Sequence, residues 1–276
     1  MAPRPFPTVR NTLFQAIKYI KWLSLDVSFG AIALLFFLSK TFEVKAPIAC
    51  YTGLFSGIWV IYLVDHYLDA RSPIVHSDRR VFHLSNSSLI RMLIGFNLTV
   101  GAISAFFLPP RLILFGLILS IVGLVYHIFS QQLSALKLKE LAISIVYSLG
   151  VYLSVISMDF RLEMILGLFG LSLLAFFNLM LVSVKEYESD QIEGFKSIAT
   201  EFSNDQIAIT KKVILGLGIV VSILGYGFWD NESLWMYMFC AFVFLSMLDQ
   251  FSKRLNSDFF RVLVDAVFPL SLLFLI

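Results

Sequence analysis

Long apolar runs dominate this sequence, and they limit what the chain can fold into. A membrane-spanning helix needs roughly 17–25 mostly apolar residues. A backbone in lipid must satisfy its own hydrogen bonds, and the runs lack sustained period-two alternation, so they predict helices and not strands. Nine segments meet the test, at about 22–39, 46–64, 90–108, 111–129, 141–158, 162–184, 212–229, 233–251 and 258–276.

The composition excludes a soluble fold for this chain. Hydrophobic residues make up 58% of the sequence and charged residues only 14%, against about 25% charged residues in soluble domains. There is too little polar surface to cover a water-facing fold. We therefore expect an all-α integral membrane protein, a single domain over residues 1–276. Its nine helices would form two four-helix halves plus one helix around a central cavity.

The basic residues predict the orientation of the bundle. With nine spans, 17 of the 21 lysine and arginine residues fall on one side of the membrane, and the other side keeps only Lys40, Lys45, Arg111 and Arg161. Such an excess marks the cytoplasmic side, so we expect a cytoplasmic N-terminus. The longer loops, about 65–89, 130–140 and 185–211, lie on the same side, where we expect them to form the cap of an active site.

Two pairs of carboxylates stand at matching places in these loops. Spans two and six run into Asp65/Asp69 and Glu186/Asp190, each pair spaced i and i+4. On a continuing helix both members of a pair share one face, about 6 Å apart along the axis. Opposed carboxylate pairs predict a site for a hard divalent cation, because Mg²⁺ takes one or two carboxylates together with water and substrate phosphates.

Basic residues accompany the acids. Like charges at i and i+4 repel, so cations are expected nearby. The candidates are Arg71, Arg79 and Arg80 after the first pair, Lys196 after the second, and Lys137 and Lys139 in the third loop. Metal-binding carboxylates surrounded by cations indicate a diphosphate site, with a hydrocarbon tail in the apolar body. The alternative is solvated loop charge, since topology alone predicts basic inner loops.

At these residues the sequence resembles the UbiA superfamily of intramembrane prenyltransferases. That family has nine helices, the motif N-D-x-x-D-x-x-x-D after helix two, and D-x-x-x-D followed by glycine and threonine after helix six. Asp65 and Asp69 match the last two acids of the first motif. Glu186 and Asp190 match the second, which Gly194 and Ser197 or Thr200 continue. The sequence departs from the family at Ile61 and Tyr62, where the family has Asn and Asp, and at Glu186, which replaces an aspartate.

The resemblance implies a mechanism. Mg²⁺ held by the catalytic and metal-binding residues Asp65, Asp69, Glu186 and Asp190 would bind a prenyl diphosphate, and the basic residues above would stabilise the departing diphosphate. A membrane-soluble acceptor, such as a quinone precursor, would attack C1 of the prenyl chain. Tyr126, Tyr147 and Tyr152 are either cavity aromatics that stabilise the allylic cation or packing and interface residues. No nucleic-acid partner is expected.

Two other functions stay open at the level of sequence. The missing acid at Tyr62 suggests a non-catalytic homologue that binds an isoprenoid or a partner protein. A small transporter could use Asp26, Asp65 or Asp265, because intramembrane carboxylates are functional by default. Pairing with Lys21 or Arg261 would account for Asp26 and Asp265 equally well. The acceptor, prenyl length, number of metals and oligomeric state are open.

Overall fold

The fold is known from a computed structural model that describes residues 15, 18–71, 77–135 and 137–275. All regular structure in these ranges is helical, as the apolar runs predict. Twelve α-helices and two 3-10 helices, Ser252–Arg254 and Pro269–Phe274, follow one another. The α-helices are α1 Leu25–Thr41, α2 Ile48–Asp69, α3 Asp78–Ser85, α4 Ser87–Ala105, α5 Pro110–Ala135, α6 Lys139–Met158, α7 Leu162–Lys185, α8 Tyr187–Glu193, α9 Ile198–Glu201, α10 Asn204–Phe228, α11 Glu232–Phe251 and α12 Ser257–Asp265.

Six helical segments in the described part of the chain are long and apolar enough to cross a membrane. They are α2, α4, α6, α7, α10 and the segment Glu232–Arg254, which extends α11 by one turn. An additional apolar stretch, Pro110–Tyr126 in α5, is shorter. Such helices are compatible with an integral membrane protein. They correspond to six of the nine predicted spans, and the count of nine is not confirmed.

The first predicted span is interrupted near its start. Residues 18–22 are helical, but the chain turns at Leu23 and Ser24 before α1 begins, and Ser24 has a positive φ of 54°. The side chain of Trp59 on α2 donates a hydrogen bond of 2.7 Å to the carbonyl of Leu23. This bond satisfies a carbonyl oxygen at the interruption of the helix.

The ninth predicted span, 258–276, is wrong as a continuous helix. Its helical part, α12, ends at Asp265, and a turn leads into the 3-10 helix Pro269–Phe274. Proline lacks an N–H, and its ring clashes with the carbonyl four residues earlier in an α-helix. Four residues before Pro269 is Asp265, the residue at which the helix ends.

Helix α7 lies at the centre of the bundle. Of its most apolar stretch 61% is buried, against 17% for α4, which therefore lies at the periphery. Helix α7 packs against α6, α10 and α11, while α1 packs against α2, α6 and the last 3-10 helix. Two glycines of α10 allow α11 to approach closely, because a Cβ at Gly218 would meet the ring of Phe242 and one at Gly225 would meet Trp235.

Short helices occupy much of the predicted inner loops. Helix α2 continues to Asp69, α3 precedes α4, and α8 and α9 follow α7. Helix α5 runs to Ala135, so the predicted loop 130–140 is largely helical. Residues 72–76 of the first loop and residue 136 of the third lie outside the described residues.

Candidate functional site

The first acidic pair lies in the last two turns of α2. Asp65 and Asp69 are one helical turn apart, so their carboxylates lie on one face of the helix, as predicted. Both residues are half-buried. Within the described ranges neither forms an ion pair with a lysine or arginine, in contrast to the second pair.

The second acidic pair begins where α7 ends. Glu186 is both the C-cap of α7 and the N-cap of α8, and Asp190 lies one turn further on. One oxygen of the Glu186 carboxylate accepts a hydrogen bond of 2.8 Å from Nη1 of Arg261, and the other lies 3.9 Å from Nη2 of Arg79. The Asp190 carboxylate lies 3.8 Å from Nη2 of Arg80.

Arg80 is the buried centre of this region, with 4% of its surface exposed. Besides Asp190, its guanidinium pairs with Glu193 at the end of α8 and stacks 3.6 Å from the ring centroid of Phe195. The carboxylate of Glu193 also accepts a hydrogen bond of 2.6 Å from the backbone N–H of Ser77. These contacts hold the start of α3 against α8.

Arg79 and Lys139 connect the two acidic pairs. Arg79 is half-buried, and its Nη1 has no hydrogen-bond partner among the described residues. Burial, and after it the positive charge of Arg261, lower the pKa of Arg79. The charge of Lys139 at the start of α6 interacts with Asp65, Asp69 and, more weakly, Asp190. Arg79, Arg80 and Lys139 thus interact by charge with acids of both pairs.

The two acids of the second pair titrate differently. Burial raises the pKa of Asp190 to about 6, and the negative charge of Glu186 adds to that effect. Burial acts in the same direction on Glu186, but Arg261 and Arg79 outweigh it, so the pKa of Glu186 is lowered. As pH falls, Asp190 therefore takes up a proton before Glu186 does.

A cavity of about 40 Å³ lies between α2, α6, α7 and α12, next to this charged region. Its polar lining comes from Tyr62, Ser144, Tyr147, Asn178, Arg261 and Asp265. Tyr147 is 6% exposed, and its hydroxyl has no hydrogen-bond partner among the described residues. Arg261 belongs both to the cavity and to the ion pair with Glu186. The cavity and the acidic motifs are therefore contiguous.

The carboxylates of Asp26 and Asp265 share one buried lysine. Nζ of Lys21 lies 3.7 Å from the carboxylate of Asp26 and 3.4 Å from that of Asp265. Nδ2 of Asn178 donates to the backbone carbonyl of Val264 at 2.9 Å and lies 3.4 Å from Oδ1 of Asp265. The pairing of both aspartates with Lys21 agrees with one of the alternatives from the sequence, in which ion pairing accounts for these two residues.

Several predicted substrate-binding residues have other contacts. Arg71 is exposed and lies over the ring of Tyr67, 4.5 Å from its centroid. Lys137 lies 4.8 Å from the ring centroid of Phe202. Lys196 is exposed. These three stay predictions as ligands, and the structure does not bring them to the paired acids.

The three tyrosines predicted as cavity aromatics lie in different places. Tyr147 lines the cavity and packs against Phe268, with ring centroids 5.2 Å apart. Tyr126 is buried in α5, within reach of the charge of Asp65. Tyr152 is fully buried against Gly167, further along α6, and does not line the cavity.

Three residues at the site went unassigned in the sequence. Arg261 is expected only as a partner of Asp265, whereas it bonds Glu186; Asn178 and Glu193 carry no expectation at all. Pro269 was the available signal for Arg261, because it predicts the end of a helix near Asp265 and hence a polar break beside Arg261. No local signal marks Asn178, which lies in the apolar sequence of α7.

The acids do not converge as a four-carboxylate metal site. Among the described residues, no three histidine, cysteine, aspartate or glutamate side chains are grouped to hold a metal ion. Arginines engage Glu186 and Asp190, whereas Asp65 and Asp69 form no ion pair with an arginine in the described part of the chain. One or two carboxylates suffice for Mg²⁺ when substrate phosphates supply the other ligands, so Asp65 and Asp69 are the residues that could hold an ion.

Known proteins add no further constraint. No family model, curated protein or solved structure matches this chain.

Proposed function

We propose that this protein is a membrane prenyltransferase, which transfers a prenyl group from a prenyl diphosphate to a membrane-soluble acceptor. The observation that carries the proposal is the position of three arginines. Arg79, Arg80 and Arg261 contact the second acidic pair, and Arg261 also lines the internal cavity. Cations for a diphosphate therefore stand beside a cavity in an apolar bundle.

The arginines suit a diphosphate. A guanidinium binds two phosphate oxygens at once, and such charge-assisted hydrogen bonds are about twice as strong as neutral ones. Nη1 of Arg79 has no hydrogen-bond partner in the described structure, so it can donate to a ligand without losing a bond. We expect the diphosphate to compete with Glu186 for Arg79 and Arg261.

The charge balance supports a metal partner. The charged cluster contains four cations, Arg79, Arg80, Lys139 and Arg261, and five carboxylates, Asp65, Asp69, Glu186, Asp190 and Glu193. Its formal charge is therefore −1, and a diphosphate would make it more negative. Asp65 and Asp69 would hold Mg²⁺, which supplies Lewis-acid stabilisation of the leaving diphosphate.

Side chains of the protein would stabilise the charges that develop during the reaction. Arg79, Arg80 and Arg261 stabilise negative charge that develops on the diphosphate as the C1–O bond lengthens. Tyr62 and Tyr147 line the cavity beside Arg261, where their rings can stabilise an allylic cation. The buried surroundings keep bulk water away from that cation.

A transporter is the second candidate, because two neighbouring helical segments, at Ser24 and at Asp265, are interrupted. Asp26 follows the turn at Ser24, and Asp265 ends α12. Carboxylates at broken helices are typical of transporters that couple to ions. The prenyltransferase accounts for more of the site, since the transporter assigns no role to Arg79, Arg80 or Glu186.

The test is release of diphosphate from farnesyl or geranylgeranyl diphosphate by the purified chain, with and without Mg²⁺. The wild type is compared with Asp69→Asn, Asp190→Asn and, as a matched control, Glu188→Gln, an exposed carboxylate of the same helix as Asp190. We expect Mg²⁺-dependent release that both aspartate substitutions abolish and that Glu188→Gln leaves intact.

Other outcomes separate the alternatives. Binding of prenyl diphosphate without release would favour the non-catalytic homologue. Absence of both binding and release in folded protein would reject the proposal, and proton or Na⁺ flux into liposomes that depends on Asp265 would then favour the transporter.

A further inference from the structure

The central cavity is lined by polar groups that a hydrocarbon does not need. The carboxylate of Asp265 accepts hydrogen bonds, and the hydroxyl of Tyr147 is buried without a described partner. A buried donor without a partner destabilises the folded protein. Such a group is expected to meet a polar ligand in part of the working cycle.

The cavity has room for such a ligand. About 10–15 Å³ suffices for one water molecule, and the cavity measures about 40 Å³. A hydroxyl group therefore fits. Two residues of the lining, Tyr147 and Asp265, carry a donor and an acceptor, which is what a hydroxyl group requires.

We propose that the cavity binds the hydroxyl of the acceptor, either water or an alcohol, and that Asp265 is the catalytic base that takes its proton. This inference rests on the proposed function. Asp265 lines the cavity, while its second contact, with Lys21 at 3.4 Å, holds the carboxylate in place. Asn178 orients the same carboxylate from α7.

The reaction balances with groups already present. The acceptor O–H bond breaks and its proton passes to the Asp265 carboxylate. The oxygen forms a bond to C1 of the prenyl group, and the C1–O bond to the diphosphate breaks, with its electron pair leaving on the diphosphate. Asp265 then loses its proton to solvent. The products are diphosphate and a prenyl alcohol or a prenyl ether.

The chain offers a matched control in Asp26. Asp26 contacts the same Lys21, at 3.7 Å, but does not line the cavity. Asp26→Asn and Asp265→Asn therefore remove the same charge from the same lysine, and only the second removes a carboxylate from the cavity. A general base contributes about 10²–10⁴ in rate.

The experiment uses the full chain with geranylgeranyl diphosphate and Mg²⁺ in ¹⁸O-labelled water, with and without oleyl alcohol. Labelled prenyl alcohol identifies water as the acceptor, and a prenyl ether identifies the alcohol. We expect Asp265→Asn to lower product formation at least 100-fold, Asp265→Glu to restore part of it, and Asp26→Asn to stay within about threefold of the wild type. Binding of the unreactive thiolodiphosphate analogue should be unchanged in all three.

A second variant guards against a folding defect. Tyr147→Phe removes only the unpartnered hydroxyl and keeps the ring contact with Phe268. It should fold normally and lower product formation about tenfold, because the acceptor oxygen loses a hydrogen bond that positions it for attack.

Three results would overturn the inference while leaving the proposed function standing: equal activity of Asp265→Asn and wild type, an equal loss in Asp26→Asn, or a product without a new C–O bond. A wild type that releases no diphosphate would reject both.

Discussion

The carboxylate of Glu186 accepts a hydrogen bond of 2.8 Å from Arg261, a residue 75 positions later in the chain. This pair joins the end of α7 to α12 and places one guanidinium between the second acidic motif and the cavity. The acidic motif and the cavity are therefore connected through one side chain. A change at Arg261 should affect both stability and ligand binding.

Arg261→Gln should destabilise the protein by about 2 kcal/mol, because a half-buried carboxylate loses a charge-assisted hydrogen bond. Binding of prenyl diphosphate should weaken at least tenfold. Thermal unfolding in detergent and equilibrium binding measure the two effects. Arg254→Gln, at an exposed arginine near the start of α12, serves as the control and should change neither. Unaltered stability of Arg261→Gln would contradict the structural role of the pair.

The raised pKa of Asp190 predicts an inverse dependence of stability on pH. The native state keeps the Asp190 proton up to about pH 6, whereas the unfolded chain loses it near its ordinary value of 3.8. The native state thus binds more protons in this window, so Asp190 makes stability fall as pH rises from about 4 to 6. Above pH 6 its contribution is constant and unfavourable.

Asp190→Asn should therefore unfold at a higher temperature than the wild type above pH 6, and the difference should shrink toward pH 4. We expect a gain of about 2 kcal/mol at pH 7. Thermal unfolding at several pH values measures it, with Glu188→Gln as the exposed control on the same helix. A variant that gains stability while losing diphosphate release would identify Asp190 as a carboxylate kept for function. Destabilisation of Asp190→Asn at pH 7 would show that the pairing with Arg80 outweighs burial.

Two glycines of α10 give a test of helix packing. A Cβ at Gly218 would overlap the ring of Phe242 on α11, whereas a Cβ at Gly216 would meet nothing within 4 Å. Gly218→Ala should cost about 1–3 kcal/mol through overpacking. Gly216→Ala should be neutral or slightly stabilising, because alanine favours the helix. Equal melting temperatures of the two variants would mean that α10 and α11 do not pack as described.

Arg80 should be the most sensitive cation in the loop after α2. It is buried between Asp190 and Glu193, so Arg80→Gln removes the cation that both carboxylates contact. Removing one member of a buried ion pair costs about 3–5 kcal/mol. Thermal unfolding should show this loss, whereas Arg91→Gln, at an exposed position of α4, should unfold like the wild type. A comparably small effect of both substitutions would mean that the loop is not anchored at Arg80.

The sequence predicts a helix correctly where the residues of that segment alone determine its structure. The apolar runs predict α2, α4, α6, α7, α10 and α11, because hydropathy and length act locally. The prediction fails at the interrupted segments, which depend on distant partners. The turn at Leu23 relies on the indole of Trp59, and the end of α12 exposes a carbonyl that Asn178 satisfies. Of these two interruptions, only the one after Asp265 has a signal in the sequence, which is Pro269.

The site was predictable to a similar extent. Spacing alone identified Asp65/Asp69 and Glu186/Asp190, and proximity along the chain identified Arg79 and Arg80. Arg71 follows the first motif just as closely, yet its guanidinium lies over the ring of Tyr67. Conversely, Arg261 lies far away in sequence and contacts the motif directly. Which basic residue reaches an acid depends on tertiary packing, which no spacing rule contains.

The break at Asp265 has a consequence for how the protein is assembled in the membrane. The segment from Ser257 to Phe274 is not one continuous helix, so lipid cannot receive it as an independent unit with all its peptide groups bonded. Its carbonyls at Val264 and Val267 accept hydrogen bonds from Asn178 and Tyr237, on α7 and α11. We therefore expect this segment to enter the membrane together with α7 and α11. A substitution of Asn178 should then hinder that step.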